Sequence, residues 1–102
     1  SGMTKKTKFL KNYRSDRYYY YINNEEVYHF HLNYWKNHLD EVIIVDVFVQ
    51  PKFRGQGYFH EIMKNALSII SYDNNIDRIY LSTVKNQILF LSNFVLSNEK
   101  AK

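Results

Sequence analysis

Two neighbouring segments near the start of the chain predict a β-hairpin. Residues 17–22 (RYYYYI) are dense in ring-bearing residues that favour strands, and residues 27–32 (VYHFHL) alternate in type. Between them, residues 23–26 (NNEE) form a polar cluster that is typical of a turn. The pattern therefore predicts two antiparallel strands whose tyrosines supply packing on both faces of a sheet.

A nearly continuous β-branched run follows at residues 42–49 (VIIVDVFV). Such a run predicts a central strand that is buried on both faces. Asp46 interrupts it, and a carboxylate is costly to bury unless it is paired or used in chemistry. We therefore expect Asp46 to be a buried carboxylate with either a structural or a catalytic role.

The second half of the chain changes its hydrophobic period. Hydrophobic residues recur with the spacing of one face of an amphipathic helix: Phe59, Ile62, Met63, Ala66, Leu67 and Ile70. Residues 73–75 (DNN) end this helix, residues 78–84 predict a further strand, and residues 86–93 predict a short second helix. A strand–helix–strand unit implies a parallel pair with a right-handed crossover. The fold class is therefore α+β, with a mixed, mostly antiparallel sheet around that unit.

Composition narrows the class of protein. The 102 residues correspond to one domain, and the absence of Cys excludes disulfides, thiolate metal sites and cysteine nucleophiles. No apolar run reaches the roughly 20 residues of a membrane span and no signal-peptide pattern is present, so we expect a cytoplasmic protein without a membrane partner.

Charge is uneven along the chain. The formal net charge is +4, and six of the 14 cationic side chains fall at or before residue 17. We therefore predict a basic arm over residues 1–16, in which Ser1-Gly2 before Met3 is typical of a tag scar. A domain over residues 17–96 and a polar tail over residues 97–102 complete the division. A basic arm is also the feature by which a protein would associate with nucleic acid, the less favoured partner.

The turn after the β-branched run carries the candidate chemistry. Residues 50–57 (QPKFRGQG) lead from a strand directly into a helix whose first N–H groups lack intrahelical acceptors. Gly55 and Gly57 allow close approach of a ligand, and Lys52 and Arg54 add positive charge. This arrangement predicts an anion site suited to a pyrophosphate. The spacing does not match a P-loop, and a dinucleotide-binding turn would need a third glycine where His60 stands.

The run V-x-V-x-P-x-x-R-G-x-G, followed by an amphipathic helix, resembles the acetyl-CoA signature of the GNAT superfamily of N-acetyltransferases. The resemblance covers residues of about 17–94 and is closest to family members of about 100 residues, which lack the usual last strands. It implies acetyl-CoA as co-substrate, and a primary amine, on a small molecule or a protein, as acceptor. The residues that it places at the cofactor are Val47, Phe48, Val49, Lys52, Phe53, Arg54, Gly55, Gln56, Gly57, Tyr58, Phe59 and Asn86.

Two carboxylates are candidates for the base that accepts a proton from the amine. Asp46 is the first choice, because a carboxylate inside a buried strand should have a raised pKa. Glu41 matches a base position of some histone-modifying family members. His29 and His31 share one strand face, where they could act as bases, but without a third ligand a metal site is not predicted.

Three functions stay open on the sequence alone. The leading hypothesis is N-acetyl transfer. The Tyr that protonates the leaving thiolate in many family members is matched here by Leu91, which keeps a non-catalytic acyl-CoA-binding module as an alternative. The third hypothesis is nucleic-acid association through the basic arm. The sequence also allows a homodimer that covers an open edge of the sheet.

Overall fold

A computed structural model describes residues 2–82 and the backbone of residues 88–91. Its elements in chain order are β1 (Gly2–Phe9), β2 (Tyr13–Ile22), β3 (Glu25–Trp35), β4 (Glu41–Val49), a 3₁₀ turn (Pro51–Phe53), α1 (Tyr58–Ile70), β5 (Arg78–Ser82) and β6 (Ile88–Leu91). Within this part of the chain the six strands form one sheet in sequential order. Every neighbouring pair is antiparallel except β4 and β5, which are parallel. The predicted α+β class with a central parallel strand–helix–strand unit is confirmed.

The predicted hairpin is formed by β2 and β3, and its turn is shorter than expected. Asn23 and Asn24 have positive φ angles of 51° and 63°. Two consecutive left-handed residues characterise the type I′ turn, whose twist matches that of the flanking strands, and Asn tolerates this conformation well. Glu25 and Glu26 therefore belong to β3 rather than to the turn.

The basic N-terminal segment is part of the sheet and not an arm outside the domain. Strand β1 pairs with β2 along its whole length, from Gly2 opposite Tyr21 to Phe9 opposite Arg14. All of its side chains are exposed, and its three lysines lie on an edge strand. Lysines on an edge discourage pairing with a further chain. The boundary predicted at residue 17 falls inside β2, which begins at Tyr13.

Helix α1 covers one face of the sheet, as its hydrophobic period predicts. Ile62, Ala66 and Ile70 are fully buried on its inner side. They complete a core whose sheet side includes Val27, Tyr28, Phe30, Leu32, Val42, Ile44, Ile79 and Leu81. In the described residues no helix covers the opposite face, which we call the open face. The prediction that β4 is buried on both faces is therefore wrong: Val42 and Ile44 are buried, but their neighbours Ile43 and Val45 are partly exposed.

The last described element differs from the prediction. Residues 88–91 form β6, which pairs antiparallel to β5 with Ile79 opposite Leu91, where the sequence predicted a helix over residues 86–93. A short apolar run such as ILFL carries no period that separates strand from helix. Residues 88–91 form a strand because pairing with the free edge of β5 satisfies the backbone groups of both strands.

Candidate functional site at the splay of β4 and β5

A β-bulge at Asp46 opens the sheet. Val45 lies opposite His31 and Phe48 lies opposite His29, so two residues of β4 face a single residue of β3 between these pairs. Asp46 has a φ of 52°, the left-handed conformation of the first residue of such a bulge. The parallel pairing of β4 with β5 ends at Ile44 and Leu81, immediately before the bulge. Beyond that point the edge of β4 that faces β5 has no strand partner among the described residues.

The bulge also decides the orientation of Asp46. In an uninterrupted strand Asp46 would lie on the same face as Ile44, against α1. As the additional residue of the bulge it lies on the open face instead, with its side chain 67% exposed. Its Oδ2 is 3.0 Å from Nδ1 of His31. The expectation of a buried Asp46 is therefore wrong.

A cleft of about 910 Å³ occupies the space between the separated strands and the start of α1. Most of the predicted cofactor residues line it: Val47, Phe48, Val49, Phe53, Arg54, Gly55, Gly57, Tyr58 and Phe59, together with Asp46. Lys52 and Gln56 are not in the lining, and Asn86 lies outside the described residues. Leu81 and Ser82 of β5 complete the wall, and neither belongs to the acetyl-CoA signature. Their position follows from β5 lying beside β4, which the strand–helix–strand pattern did predict.

The end of the cleft at α1 is suited to an anion. Gly55 and Gly57 have φ angles of 76° and 86°, and a Cβ atom at either position would meet no atom within 4 Å. Gly57 is the N-cap of α1 and provides no side-chain cap. No side-chain cap therefore occupies the N–H groups of the first helical turn, which can donate hydrogen bonds to a ligand. The helix dipole adds partial positive charge at the same place. This open, donor-rich backbone is able to hold an anionic group.

The two predicted cations behave differently. Lys52 Nζ contacts both carboxylate oxygens of Glu25, at 2.9 and 3.1 Å, so its charge is already compensated outside the cleft. Arg54 lines the cleft, donates from Nε to the carbonyl oxygen of Val49 at 2.8 Å, and places its guanidinium carbon 5.2 Å from the centre of the Phe48 ring. Of the two, Arg54 is therefore the cation that lines the cleft near the start of α1.

On the open face, rings surround the bulge. His29 stacks on Phe48 with a centroid separation of 5.4 Å and on His31 with a separation of 5.8 Å, and the Tyr19 ring lies at their side. His29 Nδ1 contacts Glu26 Oε2 at 3.0 Å, whereas His31 contacts Asp46. Burial is the largest influence on the pKa of His31 and lowers it, against the opposing effect of the Asp46 carboxylate. The prediction that the two histidines share a face is confirmed.

Glu41, the second carboxylate considered as a base, lies apart from the cleft. It is at the start of β4, where Arg78 Nη2 approaches its Oε1 at 3.3 Å and donates to Asp40 Oδ2 at 2.6 Å. Asp46 lies five positions after Glu41 along the strand, which corresponds to roughly 16 Å. The structure therefore brings Asp46, but not Glu41, to the cofactor residues.

The described residues contain neither a cluster of potential metal ligands nor a membrane-spanning helix. Among residues 2–82, no group of three or more His, Asp or Glu side chains is arranged to hold a metal ion. The one α-helix in this part of the chain has 13 residues, and no described helix is long and apolar enough to cross a membrane.

Comparison with solved structures identifies the architecture. An acyl-CoA N-acyltransferase from Pseudomonas aeruginosa superimposes with a TM-score of 0.59 over 66% of this chain, at 22% sequence identity. Escherichia coli ElaA superimposes with a TM-score of 0.61 over 82% of this chain, at 21% identity. The chain has the GNAT fold.

This GNAT-fold chain covers about half of each solved structure, 45% of the first and 54% of the second. No protein-family model matches the sequence, and the curated proteins include none that is similar enough to count as a relative. The likeness therefore concerns the fold alone.

Proposed function

We propose that this GNAT-fold protein is an acyl-CoA-dependent N-acyltransferase that transfers an acetyl group from acetyl-CoA to a primary amine. The observation that carries the proposal is the continuity of the cleft: it runs from the splay beside Asp46 to the uncapped start of α1 at Gly57. One end offers backbone donors for a pyrophosphate, and the other offers the carboxylate of Asp46 beside the position that we propose for a thioester.

The backbone of β4 supports the assignment of the cleft between its two ends to the pantetheine arm of the cofactor. The β5-facing edge of Val47–Val49 is not paired with a strand in the described residues. Apart from the Val49 carbonyl, which accepts from Arg54, its backbone groups can bind an extended ligand as a further strand would. Pantetheine carries two amides and has this extended form. Phe53, Tyr58 and Phe59 supply apolar surface beside it. We therefore propose the residues of the cleft lining, and Arg54 in particular, as the acyl-CoA contacts.

Acyl transfer from a thioester to an amine does not require a covalent intermediate with the protein. The amine must lose a proton and must be held against the thioester carbonyl, and alignment alone removes a large part of the barrier. We place the reaction in the cytoplasm, in keeping with the cysteine-free composition.

Two measurements test the proposal. Acetyl-CoA at 100 times its dissociation constant should stabilise the fold by about 2.7 kcal/mol, whereas ATP at the same concentration controls for nonspecific polyphosphate binding. Thiol release should then be followed with acetyl-CoA and four amines: spermidine, tyramine, glucosamine 6-phosphate and a peptide with a free N-terminus. No stabilisation by acetyl-CoA would refute the cofactor assignment. Stabilisation without thiol release would refute the transferase and leave a binding module.

A further inference from the structure

Strands β1 and β2 carry cations on both faces of the sheet, and the two faces treat them differently. On the face that α1 covers, Lys5 Nζ and Arg14 Nε approach the buried carboxylate of Asp16, at 3.7 and 3.2 Å. Lys6 and Arg17 lie directly opposite each other in the register of β1 and β2, and their side chains belong to the open face. The charges of one face are therefore compensated by Asp16, which the other face cannot use.

The open-face cations have no acidic partner in the described part of the chain. Lys8 follows Lys6 by two residues and so shares its face. Lys6 Nζ lies 5.7 Å from the ring centre of Tyr19, and Arg17 Nε donates to the neutral Oγ of Ser15 at 3.2 Å. Within residues 2–82, no carboxylate lies within ion-pair distance of Lys6, Lys8 or Arg17. Their three charges are therefore available to an anionic partner.

Carboxylates on β3 and β4 already have partners of their own. Glu26 and Asp46 each contact a histidine of β3 at 3.0 Å, on the side of the sheet where the cleft opens. Glu41, at the start of β4, is approached by Arg78 Nη2 at 3.3 Å. Strand β4 is two strands away from β2, which corresponds to roughly 10 Å. These acids therefore do not neutralise the cations of β1 and β2.

Two aromatic rings lie beside the open-face cations. Tyr13 and Trp35 are opposite each other in the register of β2 and β3, with ring centroids 4.7 Å apart, and both are partly exposed. Tyr13 shares its face with Ser15, two residues further along β2, and Ser15 lies opposite Lys8. The rings and the three cations therefore form one surface, which we call the basic–aromatic patch: Lys6, Lys8, Tyr13, Arg17 and Trp35.

The loops at the same end of the sheet extend the positive charge. Lys11 and Lys36 are exposed, and the N–H of Lys36 donates to the carbonyl oxygen of Asn12 at 2.9 Å, so the two loops touch. Strand β2 begins and β3 ends here, whereas the cleft lies beyond the opposite end of β4. The patch and the cleft are therefore separate surfaces of the molecule.

We propose that the basic–aromatic patch binds single-stranded nucleic acid without sequence preference. Uncompensated cations attract the phosphates of the backbone, and partly exposed aromatic rings next to them offer surfaces on which unpaired bases stack. A duplex keeps its bases stacked on one another, so it could use the cations but not the rings. An acidic peptide would likewise use only the charges. This binding is independent of the acyltransferase proposed above.

Binding to the patch can be followed without labelling the protein. Trp35 is the only tryptophan of the chain, so its fluorescence reports on this surface alone. A thymidine oligonucleotide of about 12 residues, within the usual site size of such proteins, should quench this fluorescence. Each of the three cations contributes about −0.7 to the slope of log affinity against log salt, so a slope of about −2 is expected. The affinity should therefore fall by about twentyfold between about 50 and about 200 mM NaCl.

Three variants that each remove one positive charge locate the site. Lys6→Gln should reduce the slope to about −1.4 and weaken binding. Lys5→Gln is the matched control, because Lys5 is the adjacent residue of the same strand but lies on the other face beside Asp16. Arg54→Gln removes the cation of the cleft. Both controls should keep the affinity for the oligonucleotide within about twofold of the wild type.

Two competing partners test the chemistry of the ligand. A DNA duplex of the same length and poly-glutamate should each bind at least about tenfold more weakly than the single strand and leave Trp35 unquenched. Equal losses in Lys5→Gln and Lys6→Gln would mean that only net charge matters, and a loss confined to Arg54→Gln would move the site to the cleft. Either result overturns the inference, as do equal affinity for poly-glutamate or the duplex and an absence of binding at about 50 mM NaCl.

Discussion

Tyr28 Oη donates a 2.8 Å hydrogen bond to Glu61 Oε2 and accepts one of 3.0 Å from Asn65 Nδ2. Tyr28 is fully buried on β3, whereas Glu61 and Asn65 lie on the first two turns of α1. The phenol therefore fixes the start of the helix, and with it the N–H groups of the anion site, against the sheet.

Replacing this phenol tests how firmly the start of α1 is held. Tyr28→Phe should lower the free energy of unfolding by about 1–2 kcal/mol, because one hydrogen bond to a charged acceptor is lost and Asn65 loses its acceptor. Tyr20→Phe is the matched control, since Tyr20 stacks on Tyr28 at 5.0 Å and no hydrogen bond of its hydroxyl is seen within residues 2–82. Urea unfolding of the three proteins gives the comparison. Equal losses in both variants would mean that the hydroxyl of Tyr28 contributes nothing specific.

The same tyrosine predicts a loss of stability at alkaline pH. Burial, and then the hydrogen bond to Glu61, raise the pKa of Tyr28 above its usual value of about 10. The folded state therefore favours the protonated phenol, and the stability that this contributes is complete below about pH 10 and is lost as pH rises further. Unfolding free energies at about pH 9 and about pH 11 should differ more in the wild type than in Tyr28→Phe. Part of the difference should remain in the variant, because burial also raises the pKa of Tyr34.

Substitutions at Gly57 can separate the effect of its left-handed backbone conformation on stability from the effect of an added side chain on cofactor binding. Its φ of 86° is strained for any residue with a Cβ, yet the position of that Cβ is open. Gly57→Ala should cost about 1–2 kcal/mol of stability, whereas Gly57→Asn should cost less because Asn tolerates the left-handed region. Both should weaken acetyl-CoA binding by about tenfold or more, since any side chain here enters the space of the pyrophosphate. Calorimetric titration and thermal unfolding measure the two effects, and unchanged affinity in Gly57→Asn would remove Gly57 from the anion site.

The bulge itself can be tested at Asp46 without reference to proton transfer. With a φ of 52°, this position suits Gly and strongly disfavours a β-branched residue. Asp46→Gly should therefore keep the splay and bind acetyl-CoA about as well as the wild type. Asp46→Val should lose about 1–2 kcal/mol of stability and at least about tenfold in affinity, because the strand relaxes towards regular pairing. If Asp46→Val binds as tightly as Asp46→Gly, the cleft does not depend on the bulge.

Acid should weaken the junction of β4 and β5 through Asp40. The hydrogen bond from Arg78 lowers the pKa of the Asp40 carboxyl, so its contribution to stability is present above the unfolded-state value and is lost as pH falls through the folded-state value. Asp40→Asn should therefore lose less stability than the wild type between about pH 5 and about pH 3. Asp77→Asn is the control, since Asp77 Oδ1 lies 3.8 Å from Arg78 Nε on an exposed side chain. An acid dependence that is the same in all three proteins would show that the Asp40–Arg78 pair does not contribute.

Features that depend on a few consecutive residues could be predicted from the sequence. The spacing of Ile62, Ala66 and Ile70 predicted the inner face of α1, and the change from β-branched run to glycine turn to helix predicted β4, the turn and α1 in the right order. Helical period, turn chemistry and the unsatisfied N–H groups of a helix start are local properties, so the local sequence was sufficient for them.

Features that depend on which strands meet could not be predicted in this way. Residues 2–9 become a strand because β2 offers a free edge, and residues 88–91 become a strand because β5 does. Asp46 was expected to be buried because it lies within a β-branched run, yet the register of β3 against β4 inserts it as an additional residue and turns it to solvent. His31 and Asp46 are 15 positions apart in the chain. Their 3.0 Å contact is a consequence of that register, which is fixed by the packing of the whole sheet and not by any neighbouring residue.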